Sequence, residues 1–425
     1  MFSFVQKVLR IPALPRLRVA CLLQSQEISS VARTVSGINK EDKSILVNWN
    51  KEKDVWSKFH FNWLRDNCPC PKCKHPELKQ RLLDTLEDAT PSKVDVEGKD
   101  AVEVEWRDGH RSQYSHDWLL TNSYCHNNIS VIKPPPAPKR KITLWDRDTV
   151  PDPPPEVNYH DVMADDKGML ALLQKVYQYG YCFILDTPPT RESNIAVGQR
   201  IGPMQNSYYG QQWYVELGNL SVDHITYNKD KVLPHTDLVP VFDAAGTSLM
   251  HVIVYKDAKG ARSILVDGFK LGNHMRQHFP EYFSLLTNVS FRYHLTFSDK
   301  ANYKMRRYTF GVNSDGDVKD IHINNYDRQP LDEESLYQAK EVLSCDADEA
   351  MEKMYEATRC LHQLMYSDQF HNKFDLRPGR MLLFNNKRLL HAREQLTSGF
   401  RVLCGVFHTE QEWRSKLEKL ECDLS

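Results

Sequence analysis

In Leu233-Pro234-His235-Thr236-Asp237-Leu238 an imidazole and a carboxylate stand two residues apart, and this spacing constrains the chain more than any other feature. Alternate side chains of an extended strand point the same way, so His235 and Asp237 can close on one ion. With one further histidine they make the two-histidine, one-carboxylate face that holds non-haem Fe(II) and leaves positions open for other ligands. That histidine must come from far along the chain. Two other His-x-Glu pairs are poor candidates: His75 and Glu77 sit in a loop rich in Cys and Pro, and no histidine follows His408 and Glu410 to complete a set. Only His235 and Asp237 are followed, after a long interval, by an apolar, strand-like run that ends in histidine, residues 379–391 closing on His391, with Arg401 beyond it.

A chain of 425 residues, 41% of them hydrophobic, can bury a full core and suggests two domains, or one large domain with an appendage. Its net charge of -1 argues against a general nucleic-acid binder. No apolar run approaches the roughly 18 residues of a membrane span. Residues 1–36 carry Lys7, Arg10, Arg16, Arg18 and Arg33 among apolar side chains, with no acid before Glu27, which is the composition of a mitochondrial transit segment. The expectation is a mitochondrial matrix protein, with a cytoplasmic one as the alternative.

Cys68, Cys70 and Cys73 crowd one short loop, and thiolates packed so closely suit structural Zn(II) with four Cys or His ligands. The fourth ligand is His110, in a turn after the strand-like residues 101–106, or the nearby His75. Residues 55–120 read as a small β-rich module whose thin core a metal would staple. The proline-rich stretches 133–141 and 151–155 resist helix and central strand and mark a linker. The expected parts are therefore a transit segment (1–36), a zinc-binding domain (45–130), a linker (131–157) and a catalytic domain (158–415). In the last, residues 167–177 show helical spacing, while 180–185 and 248–255 read as strands, and a turn at 258–261 leads into another strand. Short strands broken by glycine suit a double-sheet jelly roll. His251 is expected to pack in the core, and residues 332–369 form helices with a Met-rich core stripe.

The sequence resembles the Fe(II)- and 2-oxoglutarate-dependent dioxygenases, and among them the carnitine-biosynthesis branch of gamma-butyrobetaine and trimethyllysine dioxygenases. The resemblance runs from about Trp56 to Phe407. It is carried by Trp63-Leu64-Arg65-Asp66-Asn67-Cys68-Pro69-Cys70, Tyr209-Gly210 with Trp213, the His235/Asp237 pair, Leu265-Val266-Asp267-Gly268-Phe269, Asn324-Asn325, Arg388-Leu389-Leu390-His391 and Arg401. It implies a mainly β jelly-roll domain with flanking helices behind a zinc-binding domain held by Cys68, Cys70, Cys73 and His110. It further implies Fe(II) on His235, Asp237 and His391, with ascorbate keeping the iron reduced, and 2-oxoglutarate anchored by Arg401, whose planar fork matches a carboxylate. O2 and 2-oxoglutarate would be consumed to succinate and CO2 while a substrate C–H bond is hydroxylated.

Tyr209, Trp213, Tyr227 and Phe407 match positions that surround a trimethylammonium group, which only aromatic faces can recognise because it has no hydrogen to donate. A homodimer is expected, although the helices of 332–369 could equally cover a sheet or meet a second subunit. Asn385-Asn386-Lys387 departs from the usual Asp-Asn-Trp, Ala392 replaces Gly, and His224 stands where gamma-butyrobetaine enzymes have Asn and trimethyllysine enzymes Asp. The three-Cys loop and His224 put hydroxylation of gamma-butyrobetaine to L-carnitine first. Asn324-Asn325-Tyr326-Asp327-Arg328 and the transit-like start speak for trimethyllysine as the alternative. A zinc-stapled jelly roll that binds without turnover is the third reading.

Overall fold

The structure, a computed structural model, describes residues 35–50, 52–82, 89–97, 101–128, 140–217, 229–297 and 301–424. The chain divides into two units, Met1–Lys139 and Arg140–Ser425.

In the first unit β1 (Gly37–Lys40), β2 (Ser44–Asn50) and β3 (Val55–His60) form an antiparallel meander, and α1 (Phe61–Asp66) follows directly. A second antiparallel sheet holds β4 (Pro91–Glu97), β5 (Ala101–Trp106) and β6 (Arg111–Ser115). It leads into α2 (His116–Thr121) and the short β7 (His126–Asn127), which pairs back with β3. Strand alternation builds the core: Ile45, Val47 and Trp49 from β2 meet Val102, Val104 and Trp106 from β5. Between β5 and β6 the chain reverses at Gly109, whose φ of 79° favours glycine, and this turn presents His110.

The second unit opens with β8 (Glu156–Asn158), α3 (Tyr159–Ala164), α4 (Asp166–Tyr179), β9 (Tyr181–Leu185), α5 (Arg191–Ile201), β10 (Gln212–Leu217) and β11 (Val232–His235). β12 (Thr247–Gly260), β13 (Ser263–Asp267), α6 (Gly268–His278) and α7 (Pro280–Asn288) follow, then the hairpins β14 (Ser290–Phe297) with β15 (Ala301–Tyr308) and β16 (Phe310–Val312) with β17 (Val318–Ile321). Helices α8 (Glu333–Leu343) and α9 (Ala347–Met365) precede β18 (Asn372–Phe374), β19 (Arg380–Asn385), β20 (Leu389–Arg393), β21 (Leu396–His408) and α10 (Glu410–Leu424).

Two sheets form the jelly roll, a six-stranded one in the order β10-β21-β12-β19-β9-β8 and a four-stranded one in the order β11-β20-β13-β18. Period-2 alternation sorts each strand between an inner and an outer core. On β19, Leu382 and Phe384 join Trp145, Phe183 and Leu265 between the sheets, while Met381 and Leu383 face α4, α5 and α10. On β13, Ile264 and Val266 turn outward to α6, α7 and α9, while Leu265 turns in. Because both faces are covered, these strands read as continuous apolar runs.

The Met-rich stripe of α9 is core, with Met354, Ala357, Leu361 and Met365 buried. β12 continues to Gly260 through part of the expected turn, and reversal comes at Gly260 and Ala261, with φ of 74° and 54°. Gly260 lies so close to the Gln395 carbonyl that a Cβ there would stand 2.2 Å from it. Trp145, within the stretch read as linker, is fully buried between the sheets of the second unit.

Candidate active site

β11 and β20 are antiparallel neighbours with His235 opposite His391, so the register brings the two histidines onto one face. Just beyond β11 the chain turns sharply, with Leu238 at φ 59°, and Asp237 points back at both rings. Asp237 Oδ1 lies 3.6 Å from Nε2 of His235 and 3.6 Å from Nε2 of His391. One ligand atom from each of the three lies within 4.8 Å of the others.

The His235 Nδ1 proton is donated to the Leu233 carbonyl at 2.8 Å, which turns Nε2 to the common point, where, against the opposing effect of burial, Asp237 raises the ring's pKa. Burial pushes His391 down to about 4, so its ring is neutral at ordinary pH. Two imidazole nitrogens and a carboxylate facing one point suit a divalent metal of the Fe(II) type.

Asn386 fixes the carboxylate's backbone. Its Oδ1 accepts from Asp237 N at 2.8 Å, and its Nδ2 donates to the carbonyls of Asp237 at 3.2 Å and Ala245 at 2.8 Å. The departure in 385–387 therefore keeps a side chain that clasps the Asp237 backbone.

Arg401, on β21 of the other sheet, is 1% exposed and lines the same cavity as the three residues above. Nη1 donates to the Ala261 carbonyl at 2.8 Å, while Nε and Nη2, the side-on fork of the guanidinium, are buried with no hydrogen-bond partner among the described residues. Burial pulls its pKa down to about 10, and the group stays charged. An unpaired buried cation of this kind is costly unless an anion meets it, and the free fork matches a carboxylate.

Tyr209, Trp213 and Phe407 line the cavity too. Trp213 faces Gly405 across β10 and β21, and the absent side chain is what makes room: a Cβ on residue 405 would lie 2.1 Å from Trp213 Cζ2. The Trp213 and Phe407 rings are 6.1 Å apart. Tyr208 packs on Tyr209 at 4.2 Å, and Phe297 from the β14–β15 hairpin adds to this wall, 5.0 Å from Tyr208. Tyr227 and His224 lie outside the described residues.

In the first unit Cys68, Cys70, Cys73 and His110 converge, with His110 Nε2 at 3.3, 3.6 and 3.5 Å from the three sulfurs. His75 is turned to its own loop, its Nδ1 accepting from Glu77 N and Leu78 N. Ser112 Oγ donates to Cys68 Sγ at 3.0 Å and Arg65 Nη1 to Cys73 Sγ at 3.6 Å; burial nonetheless pushes the Cys68 thiol up to about 12 and raises Cys73 as well, so the thiolate form that zinc requires needs the ion itself. Arg65 also pairs with Asp108, which accepts from His110 N and so orients the turn.

Sequence reasoning passed over four side chains that shape the cavity or its supports: Tyr208, Phe297, Asn386 and Asp327. Asp327 lines the cavity at 8% exposure, and burial pushes its carboxyl up to about 6. It sits inside the quoted Asn324–Arg328 motif, which was the available signal. His251 is fully buried on β12 and is not part of the histidine–aspartate group.

Residues 142–407 match the family described as taurine catabolism dioxygenase TauD, TfdA, and residues 37–120 match gamma-butyrobetaine hydroxylase-like, N-terminal. The chain belongs to the TauD, TfdA family. It is a 2-oxoglutarate-dependent dioxygenase, of a family whose enzymes use Fe(II) and 2-oxoglutarate. The mitochondrial trimethyllysine dioxygenase of Rattus norvegicus is 26% identical over 389 residues, covering 87% of this chain and 86% of the relative. The gamma-butyrobetaine dioxygenase of Pseudomonas sp. (strain AK-1) is 27% identical over 376 residues, covering 86% and 91%. A solved putative alpha-ketoglutarate-dependent taurine dioxygenase from Burkholderia xenovorans covers 63% of this chain and 91% of its own at 10% identity, with a TM-score of 0.44, too loose a likeness to bear on the site.

Proposed function

We propose that the protein hydroxylates an aliphatic C–H bond of a small trimethylammonium substrate, with His235, Asp237 and His391 holding Fe(II) and the Arg401 fork taking the far carboxylate of 2-oxoglutarate. The observation that carries this is the meeting, in one cavity, of the ligand face, an unpartnered buried guanidinium fork and an aromatic wall. When bound, the metal and 2-oxoglutarate supply with O2 the oxidising power for the C–H bond, with succinate and CO2 as co-products. The chain's own residues position the substrate: Tyr209, Trp213 and Phe407, with Tyr227 as a further candidate, offer π faces to the quaternary head, and the walls exclude water.

Two substrates fit this reading. Gamma-butyrobetaine, giving L-carnitine, is favoured by the Cys68, Cys70, Cys73 and His110 group, read as a structural zinc site. Trimethyllysine, giving 3-hydroxy-trimethyllysine, is favoured by the relatives that bear its name. The proposal includes ascorbate as the reductant that maintains the iron, a homodimer, and a mitochondrial matrix location reached through residues 1–36, of which 1–34 lie outside the described residues. The domain parts 45–130 and 158–415 belong to it as well.

The test is anaerobic addition of Fe(II) and 2-oxoglutarate, followed by O2 and each trimethylammonium compound in turn. A weak visible charge-transfer band, then substrate-dependent succinate and a hydroxylated product by mass spectrometry, is expected; Asp237→Ala should abolish both band and succinate. A folded protein with no band and no succinate would instead support a binding module without turnover.

A further inference from the structure

We propose that Asp327 is a specificity-determining residue that accepts hydrogen bonds from a primary ammonium of the substrate, so that the site selects an amine-bearing trimethylammonium compound over one without the amine. The inference rests on the trimethylammonium reading above and adds what lies at the other end of the substrate.

Asp327 is more than nine-tenths buried and lines the cavity that also contains His235, Asp237 and His391. Among the described residues a single side chain donates to its carboxylate, Asn324 Nδ2 to Oδ2 at 3.0 Å. The neighbouring cation does not serve it in that way, because Arg328 lies over the Phe291 ring, 5.4 Å from the centroid. A carboxylate has roughly four acceptor sites, so most of the capacity of this one is open to a donor that enters the cavity.

The surrounding turn holds Asp327 in place. Its carbonyl accepts from His294 N at 2.9 Å, Asn324 Oδ1 accepts from Tyr326 N at 3.0 Å, and Tyr326 Oη accepts from Leu233 N at 2.9 Å on the strand that carries His235. The acceptor is thus tied to the ligand strand itself.

Chemistry decides which cation it meets. A quaternary ammonium has no N–H to give, so it gains nothing directional from a carboxylate oxygen and belongs on the aromatic wall. A primary ammonium brings three donors. Trimethyllysine carries both groups and gamma-butyrobetaine only the first, so this site puts trimethyllysine ahead, against the preference drawn from His224.

The experiment compares kcat/KM for trimethyllysine and for 6-(trimethylammonio)hexanoate, the same chain with hydrogen in place of the amine, in the wild type and in Asp327→Asn. Charge-assisted hydrogen bonds of this kind are worth a preference of about 10- to 150-fold for the amine. The wild type should show it, and in the variant the ratio should collapse toward unity, chiefly through KM for trimethyllysine, with the 2-oxoglutarate requirement reporting that the site is intact. Equal use of the two compounds by the wild type overturns the proposal even where the variant does not fold. So does a variant that weakens both alike, since that would make Asp327 a partner of the quaternary head or a structural group. A wild type that turns over neither compound, while still forming succinate on its own, removes the trimethylammonium reading and this inference with it.

Discussion

Asp267→Asn should destabilise the second unit more than any surface change, and the structure gives the size. Asp267 and Arg388 are 0% and 1% exposed and form a two-point pair, Arg388 Nη2 to Oδ2 at 2.7 Å and Nε to Oδ1 at 3.1 Å. The carboxylate also accepts from Trp145 N at 3.1 Å and, as the N-cap of α6, from Phe269 N at 3.1 Å and Lys270 N at 3.4 Å. Asparagine caps a helix as well as aspartate does, so the cap survives. What changes is that an amide N–H₂ replaces Oδ2 and meets the Arg388 and Trp145 donors, while the buried Arg388 charge loses its anion and keeps, among the described residues, the neutral cap oxygen and the Gln178 and Thr143 carbonyls.

Breaking a buried pair from one side costs about 3–5 kcal/mol. At roughly 2–4 °C per kcal/mol this lowers the calorimetric midpoint of the second unit by about 6–20 °C. Arg388 begins the stretch that ends in His391, so Fe(II) binding should weaken as well. The double variant Asp267→Leu with Arg388→Met, which removes both charges, should be less damaged than the single one. A loss under about 1 kcal/mol in Asp267→Asn, or a double variant worse than the single, would refute the argument that an unpaired buried charge is the cause.

Three further outcomes can be measured. Arg401→Lys replaces the fork with a point charge and should raise the 2-oxoglutarate requirement by about 10- to 150-fold; an unchanged requirement puts the anchor elsewhere. Cys70→Ser should lose zinc by metal analysis and lower the thermal stability of the first unit while iron binding in the second persists; full zinc occupancy in the variant contradicts the four-ligand group. Burial pushes His251 and His408 down to about 4 from 6.5, so between those values the unfolded chain binds protons that the folded one refuses. Their contribution is complete above about pH 6.5 and is lost as pH falls toward 4; His362 and His391, also pushed down to about 4 by burial, add to it, while Asp327, raised to about 6, and the raised Asp320 and His235 oppose it. The urea midpoint should therefore drop between pH 7 and pH 5, and a flat profile would show that these rings are protonated when folded.

Much of this was legible without coordinates because it depends on neighbours in sequence. The helical spacing that became α4 and α9, the apolar runs that became β9, β12 and β19, and the two-residue step from His235 to Asp237 are local patterns whose geometry follows from backbone periodicity. The cysteine loop was local in the same sense.

What the sequence left open depends on register between strands far apart in the chain. His391 faces His235 because β20 pairs with β11, and Trp213 finds its space because Gly405 lies opposite it. The resemblance already preferred His110 to His75; the tertiary structure adds that His110 Nε2 faces the sulfurs while His75 Nδ1 is turned to its own loop. Asn386, in a segment that looked like a defect of the motif, clasps Asp237, and Asp327 passed for one acidic residue of a motif until the turn around it aimed it at the cavity. Polar side chains such as these carry no periodic signal, since their role is set by which distant donors and acceptors burial leaves them, and that is fixed only when the two sheets have closed.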